Sequence, residues 1–305
     1  MRPATPAIAT RDRLREYVTA YADRIDGRLG VRVAVLNDAD DRDIVVSHRP
    51  DRPYASASVI KLPVLYALYR AHAGDLDALR EPHGLADENR VGGSGLLHLL
   101  DVEPSLRDLA RAMIAVSDNA ATNELIDHLG REAINEAASD LGMGHTHLGR
   151  KLMTTLEGES EESGAESESD ADGDSSDPTN TTAPLDCVRF FAELCHGDRL
   201  SERAREEMLE ALGHQKDISM FPRYLPYEDE GAGDLAHKTG WLPTAALDTG
   251  VVLPDAGGPG VVAADADSPL CFAVFVDRVS HGGDGTDVIA EIGDAVFAWY
   301  RNRRE

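Results

Sequence analysis

Cysteine, lysine and long apolar runs are all scarce in this chain, and each scarcity excludes something. The three cysteines, Cys187, Cys195 and Cys271, are odd in number and show no CxxC spacing. That pattern excludes a disulfide framework and a cysteine-based zinc site, and it predicts small buried apolar side chains. No run approaches the roughly 18 consecutive apolar residues of a membrane-spanning helix. The first ten residues hold no apolar stretch of signal-peptide length, so a cytoplasmic chain is expected. Basic residues are few: 30, against 55 acidic ones, for a net charge of −25. Only Lys61, Lys151, Lys216 and Lys238 are lysines. So acidic a surface repels nucleic acid and anionic membranes, and neither is expected as a partner. It fits a protein made for concentrated salt, where screening removes self-repulsion. Ten of the carboxylates lie between Glu157 and Asp177, but the remainder of the chain is strongly acidic too.

The 305 residues contain no internal repeat, and 42% of them are hydrophobic. This is enough for a sizeable core in one large domain or two intimate lobes. Thr10 can cap a helix in which Leu14, Val18, Tyr21 and Ile25 recur at helical spacing. Segments 31–36 and 44–47, joined by a polar turn, read as a strand hairpin. Helical patterns follow over 58–71, 106–116, 119–129, 131–141, 184–194 and 201–212. Ser105 and Asp108 form a capping box ahead of the second of these. Strands are expected at 235–241, 246–253 and 270–276, and a final helix at 288–301. Segment 157–179 is low-complexity Ser, Gly, Glu and Asp and reads as a mobile insert. Strands at both ends with helices between predict an α/β (α+β) fold. One antiparallel sheet would form from both termini, flanked by helices, beside an all-helical lobe. The expected lobes are 1–60 with 216–305, and 61–215, with a cleft between them as the default site.

Three short motifs carry chemistry. Ser58-Val59-Ile60-Lys61 is an S-x-x-K: residues three apart on a helix share a face, so the amine can sit beside the hydroxyl. Serine needs a neighbour to take its proton, and a lysine does so once desolvation or nearby positive charge lowers its pKa. Ser117-Asp118-Asn119 follows an apolar helix. Its hydroxyl and amide could relay a proton and hold a substrate amide, or the tripeptide could simply cap the next helix. Lys238-Thr239-Gly240 falls on an expected strand, where Lys and Thr could bind a carboxylate and Gly admits close backbone approach. Gly92-Gly93-Ser94-Gly95-Leu96 is no G-x-S-x-G, so a Ser-His-Asp hydrolase fits poorly. His145-Thr146-His147 lacks a third ligand at metal spacing. No cofactor is called for.

In this order the three motifs are the set of class A β-lactamases and penicillin-binding proteins. The chain resembles that superfamily over nearly its whole length, the class A branch most closely. The resemblance extends to Gly92-Gly93-Ser94-Gly95, the stretch from Arg107 to Asn123, and Leu242-Pro243 after the third motif. It implies a β-lactamase/transpeptidase-like fold and a role for each position. Ser58 would be the acylated nucleophile, Lys61 its general base and Ser117 the relay to the leaving nitrogen. Asn119 would bind the substrate amide, and Lys238 and Thr239 would clamp a carboxylate. The backbone N–H groups of Ser58 and Trp241 would form the oxyanion hole. The expected substrate is a small β-lactam or peptide-like molecule.

One position departs from the pattern. The class A glutamate that activates the deacylating water follows an arginine on a loop after the second motif. In this chain Arg150 matches that arginine, and Leu152 stands where the glutamate belongs. Glu157 is the nearest other candidate. Three readings stay open: a β-lactamase-like hydrolase, a DD-peptidase-like amidase or esterase, and a binding or sensing module that is acylated once. Oligomeric state is not legible.

Overall fold

The computed structural model describes residues 8–37, 42–153, 180–225, 235–253 and 268–302. The acidic insert expected at 157–179 lies outside the described residues. The chain opens with helix α1 (Arg11–Ala22), whose N-cap Thr10 accepts from the Arg13 N–H. Strands β1 (Arg28–Leu36) and β2 (Arg42–His48) form the hairpin, and a two-residue strand β3 (Tyr54–Ala55) follows. The helical stretch contains α2 (Lys61–Ala71), α3 (Leu106–Ala115), α4 (Asn119–Leu129) and α5 (Arg131–Asp140). After the insert come β4 (Thr181–Thr182), α6 (Pro184–His196) and α7 (Glu202–Gly213). The chain ends with β5 (Leu235–Leu242), β6 (Ala245–Val252), β7 (Leu270–Asp277) and α8 (Gly282–Asn302).

The five long strands make one antiparallel sheet in the order β2-β1-β7-β6-β5. Strands from both ends of the chain therefore pair, β1 against β7 from Arg28–Asp277 to Val35–Leu270, as the α/β reading requires. Alternate side chains point to opposite faces, and both faces are apolar because both are covered. Val31, Val33, Phe272 and Val274 pack against Leu14 and Val18 of α1 and Ile289, Ile292 and Trp299 of α8. Ala34, Leu247, Val251 and Phe275 face the other way, into the core built by α2, α3, α4 and α6. Arg28 and Asp277 pair side chain to side chain across the β1–β7 ladder. All three cysteines are free, and Cys187 and Cys271 are buried, as expected. Among the described residues no helix is long and apolar enough to cross a membrane.

The differences from the expected elements are local. Helix α1 stops before Ile25, and α8 begins at Gly282, six residues earlier than its apolar pattern. Thr286 Oγ1 donates to the Gly282 carbonyl there, so a glycine-rich stretch that reads as a turn is the first helical turn. The short sheet of β3 and β4 was not expected, since two residues carry no alternation. Ser58 is not in an α-helix. It lies in a 3-10 turn, Ala57–Ile60, that leads into α2.

Candidate functional site

The 3-10 turn preserves what the motif spacing requires. With three residues per turn, positions i and i+3 eclipse, so Ser58 and Lys61 remain neighbours. The turn is entered through Ala57 at φ 45°, in the left-handed region that costs a non-glycine residue of order 1 kcal/mol or more. Ser117 (φ 56°) and Met153 (φ 54°) share that conformation. Three of the five non-glycine residues with positive φ among those described thus lie at or beside expected site positions. Strain of this kind persists where surrounding structure fixes a functional geometry.

Lys61 is fully buried at the start of α2. Its Nζ donates to Ser117 O at 2.7 Å, Ser117 Oγ at 3.0 Å and Asn119 Oδ1 at 2.9 Å. The first two motifs are thereby joined by direct bonds. The Ser58 hydroxyl has no hydrogen bond among the described residues, so the lysine reaches toward the second motif and not toward its own motif's serine. Burial holds the Lys61 pKa well below the usual lysine value, and the positive charge of Lys238 lowers it further. A lysine so placed can exist as the neutral amine that accepts a proton.

Asp118 explains why the second motif sits where it does. Its buried carboxylate accepts from the Ala121 N–H at 2.9 Å, capping α4, and from the Leu96 and Leu97 N–H groups at 2.7 and 2.9 Å. The capping reading of this tripeptide is therefore realised by Asp118. The glycine loop 92–95 closes over the turn: Asn119 Nδ2 donates to Gly92 O at 3.0 Å, and the Asn119 N–H to Ser94 O at 3.1 Å. Gly95, at φ 88°, has no room for a side chain, because a Cβ would sit 2.1 Å from Asp118 Oδ2.

Strand β5 brings the third motif to the same place. A Cβ on Gly240 would lie 3.0 Å from Ala57 Cβ and 3.2 Å from the Ser58 backbone nitrogen. The close approach this glycine permits is thus by the Ser58 turn itself. Lys238 is fully buried and donates to Thr239 O at 2.9 Å. Burial pulls its pKa down to about 7, although Asp217 and Asp248 oppose that shift. Behind it His237 Nδ1 and Asp248 Oδ1 lie 3.0 Å apart, and Asp248 Oδ2 accepts from the Phe221 N–H at 3.1 Å. Trp241 is about half exposed, and its Nε1 donates to Asp217 Oδ2 at 2.7 Å.

Leu152 is tied down by its main chain. Its N–H donates to Asn123 Oδ1 at 2.8 Å and its carbonyl accepts from Asn123 Nδ2 at 2.9 Å. Asn123 is buried on α4, and the Leu152 side chain packs against the larger core. Residues 150–153 contribute no carboxylate, and Glu157 lies outside the described residues. His145 and His147 belong to a turn held by Asp186 and Thr181. Among the described residues no group of three or more His, Cys, Asp or Glu side chains is placed to hold a metal ion.

Sequence reasoning assigned no role to Asp217 and gave Asn123 none of its own. Their contacts join residues 24 and 29 apart, which no local pattern announces.

The comparisons with known proteins concern the chain as a whole. Residues 11–300 match the β-lactamase enzyme family. A β-lactamase of Rhodobacter capsulatus is 30% identical over 260 residues, covering 81% of this chain and 78% of its own length. The crystal structure of a β-lactamase from Sphaerobacter thermophilus DSM 20745 superposes with a TM-score of 0.72 at 28% identity, over 92% of this chain and 94% of that one. A leucine-to-glutamate variant of PBP-A, solved as an acyl-enzyme complex with penicillin G, shares the fold with a TM-score of 0.71 at 22% identity, over 97% and 96% of the two chains. The chain belongs to the β-lactamase enzyme family and is a serine β-lactamase-like hydrolase.

Proposed function

We propose that this hydrolase forms an acyl-enzyme on Ser58 and releases it slowly. The observation that carries the reading is the buried Lys61 amine bonded to both Ser117 and Asn119, one turn from Ser58. Neutral Lys61 takes the Ser58 proton, directly or through water, as Oγ attacks the substrate carbonyl. The Ser58 and Trp241 N–H groups stabilise the oxyanion; such a donor is worth about 3–4 kcal/mol in the transition state. The carbonyl C–N bond breaks, and the proton passes from Lys61 through the Ser117 hydroxyl, 3.0 Å away, to the departing nitrogen. Asn119 orients the substrate amide, and Lys238 and Thr239 hold the group on the far side of the scissile bond.

The ester then needs a water and a base. Leu152 supplies no base, and its apolar side chain disfavours the water. PBP-A, which shares this fold, has been solved as a leucine-to-glutamate variant in an acyl-enzyme complex with penicillin G, which supports a penicillin as an acyl donor here. The same feature favours a second reading, a DD-peptidase-like amidase or esterase, or a sensor acylated once. The substrate in either case is a small β-lactam or peptide-like molecule, with neither nucleic acid nor membrane as partner. A cytoplasmic address remains part of this proposal, and recovery of the chain in a wall or periplasmic fraction would remove it.

Incubation with benzylpenicillin and with a chromogenic cephalosporin, following turnover and intact mass together, tests the function. A burst of about one equivalent with a lasting adduct is expected. Fast steady-state hydrolysis with no adduct would contradict slow release.

A further inference from the structure

We propose that the Trp241 side chain is a specificity residue: its indole face, held by Asp217, stacks on a flat, positively charged ring that the substrate carries on the far side of the scissile bond. The inference rests on the reading that Ser58 is the nucleophile and that Thr239 holds the group on that side, and it names a substrate class for the site.

The strand gives the position. β5 is an edge strand of the sheet, with β6 on one side and no strand on the other. Gly240 abuts the nucleophile's turn, since a Cβ there would lie 3.2 Å from the Ser58 nitrogen. Trp241 is the next residue. Alternate residues of a strand share a face, so its side chain lies on the face of Thr239. Thr239 is buried, whereas Trp241 is 45% exposed. The indole is thus the solvent-facing neighbour of Thr239, one residue from the contact with the Ser58 turn.

The ring is exposed but not loose. Its Nε1 donates to Asp217 Oδ2 at 2.7 Å. Asp217 is itself fixed, because Oδ1 accepts from the Ser219 N–H at 3.1 Å and the Ser219 hydroxyl at 2.5 Å. The Lys216 N–H donates to Ala115 O at 2.9 Å and ties this segment to the end of α3, two residues before Ser117. An aromatic side chain oriented in advance spares a ligand the cost of ordering it.

The chemistry of the ring selects its partner. The face of an aromatic ring attracts cations, and tryptophan does so best. Donation of the indole N–H to a carboxylate polarises the ring further in the same sense. The three donors to Asp217 are uncharged, so its negative charge stays beside the ring. Burial raises the Asp217 pKa, but the bonds from Ser219 and Trp241 outweigh burial and leave it lowered, so the group is ionised. Among the described residues no arginine or lysine lies over the Trp241 ring, whereas Arg11 lies over that of Trp299 at 5.6 Å. Ile218 and Leu242, the chain neighbours of the bonded pair, are exposed and apolar. A flat cation gains both contact area and charge attraction here, and an uncharged flexible chain gains only contact.

Two cephalosporins isolate this difference. Cephaloridine and cephalothin share the bicyclic nucleus and a thienylacetyl side chain, and differ in the group beyond the nucleus: a pyridinium in the first, an acetoxy group in the second. Both are titrated calorimetrically into Ser58→Ala, Ser58→Ala/Trp241→Leu and Ser58→Ala/Trp241→Phe, which all keep the main-chain N–H at 241 and cannot be acylated on Ser58. Ser58→Ala is expected to bind cephaloridine about fivefold or more tighter than cephalothin. Trp241→Leu is expected to shift that ratio about fivefold toward cephalothin, and Trp241→Phe, which keeps an aromatic face, to fall between. Trp241→Ala is the second non-aromatic variant should leucine disturb folding. A ratio that leucine or alanine does not move, equal weakening of both ligands, a phenylalanine variant no different from leucine, or binding of neither ligand would overturn the inference. The reading of Ser58 falls separately, if the unmodified chain forms no adduct with either compound.

Discussion

Restoring a carboxylate at position 152 should convert slow release into turnover, and the structure sets both the gain and the cost. The Leu152 backbone is held at its N–H and its carbonyl by Asn123, whose side chain is buried on α4. Leu152→Glu leaves those two bonds intact, because they involve only the main chain. The side chain is half-buried at the edge of the larger core. Full burial of a leucine is worth about 1.5–3 kcal/mol, so losing this partial burial should cost about 1 kcal/mol, and partial desolvation of the carboxylate about as much again. The melting temperature should fall by only about 2–6 °C. General-base assistance is worth about 10²–10⁴ in rate, or about 3–5 kcal/mol of barrier. Quench-flow and intact-mass measurements with benzylpenicillin should show the adduct lifetime shortened at least a hundredfold in the variant. A folded variant whose adduct persists as long as that of the unmodified chain would refute the reasoning, because it would mean that the loop does not aim position 152 at the ester.

Other expectations follow from named contacts. Asp118→Ala orphans the Leu96, Leu97 and Ala121 N–H groups, each worth about 1–3 kcal/mol when buried and unsatisfied; urea unfolding should show a loss of about 3 kcal/mol or more, and a loss below 1 kcal/mol would contradict the frame described for the second motif. Lys238 has a folded pKa of about 7, below its unfolded value near 10.5, so the unfolded chain binds the extra proton between those limits and stability rises with pH across that window. Lys238→Met should flatten that rise by up to about 1.4 kcal/mol per pH unit; an unchanged slope in urea melts from pH 7 to 10 would count against a buried, depressed lysine. The net charge of −25 predicts that the melting temperature climbs by roughly 5 °C or more between 0.1 and 2 M potassium chloride, and a salt-independent melt would end the halophilic reading.

Much of the frame was legible because it repeats. The nearly continuous apolar run of β1, covered on both faces, and the apolar spacing in α1 and α3 are dictated by burial, and burial leaves a pattern. The S-x-x-K spacing survived a change of helix type, since three residues make one 3-10 turn and nearly one α turn. What escaped has no period. The two-residue pairing of Tyr54–Ala55 with Thr181–Thr182 is too short to alternate. The glycines at 282, 283 and 285 have poor helix propensity, yet α8 begins there, with Gly282 and Gly285 set close against Leu242, Ala246 and Val276 of the sheet. The left-handed backbone of Ala57, Ser117 and Met153 contradicts local preference, and only the assembled site explains it. Asp217 looked like an ordinary loop carboxylate until Trp241 and Ser219 were found bonded to it.

The central claim is that Ser58 carries the acyl group and Lys61 draws its proton. The direct measurement is peptide mapping after penicillin treatment of the unmodified chain, Ser58→Ala and Lys61→Ala, with the acylation rate followed by intact mass. The account predicts an adduct on the Ser58 peptide of the unmodified chain, none on Ser58→Ala, and acylation slowed by about 10²–10⁴ in Lys61→Ala. An adduct that persists on Ser58→Ala, or a Lys61→Ala variant acylated at the unmodified rate, would contradict it.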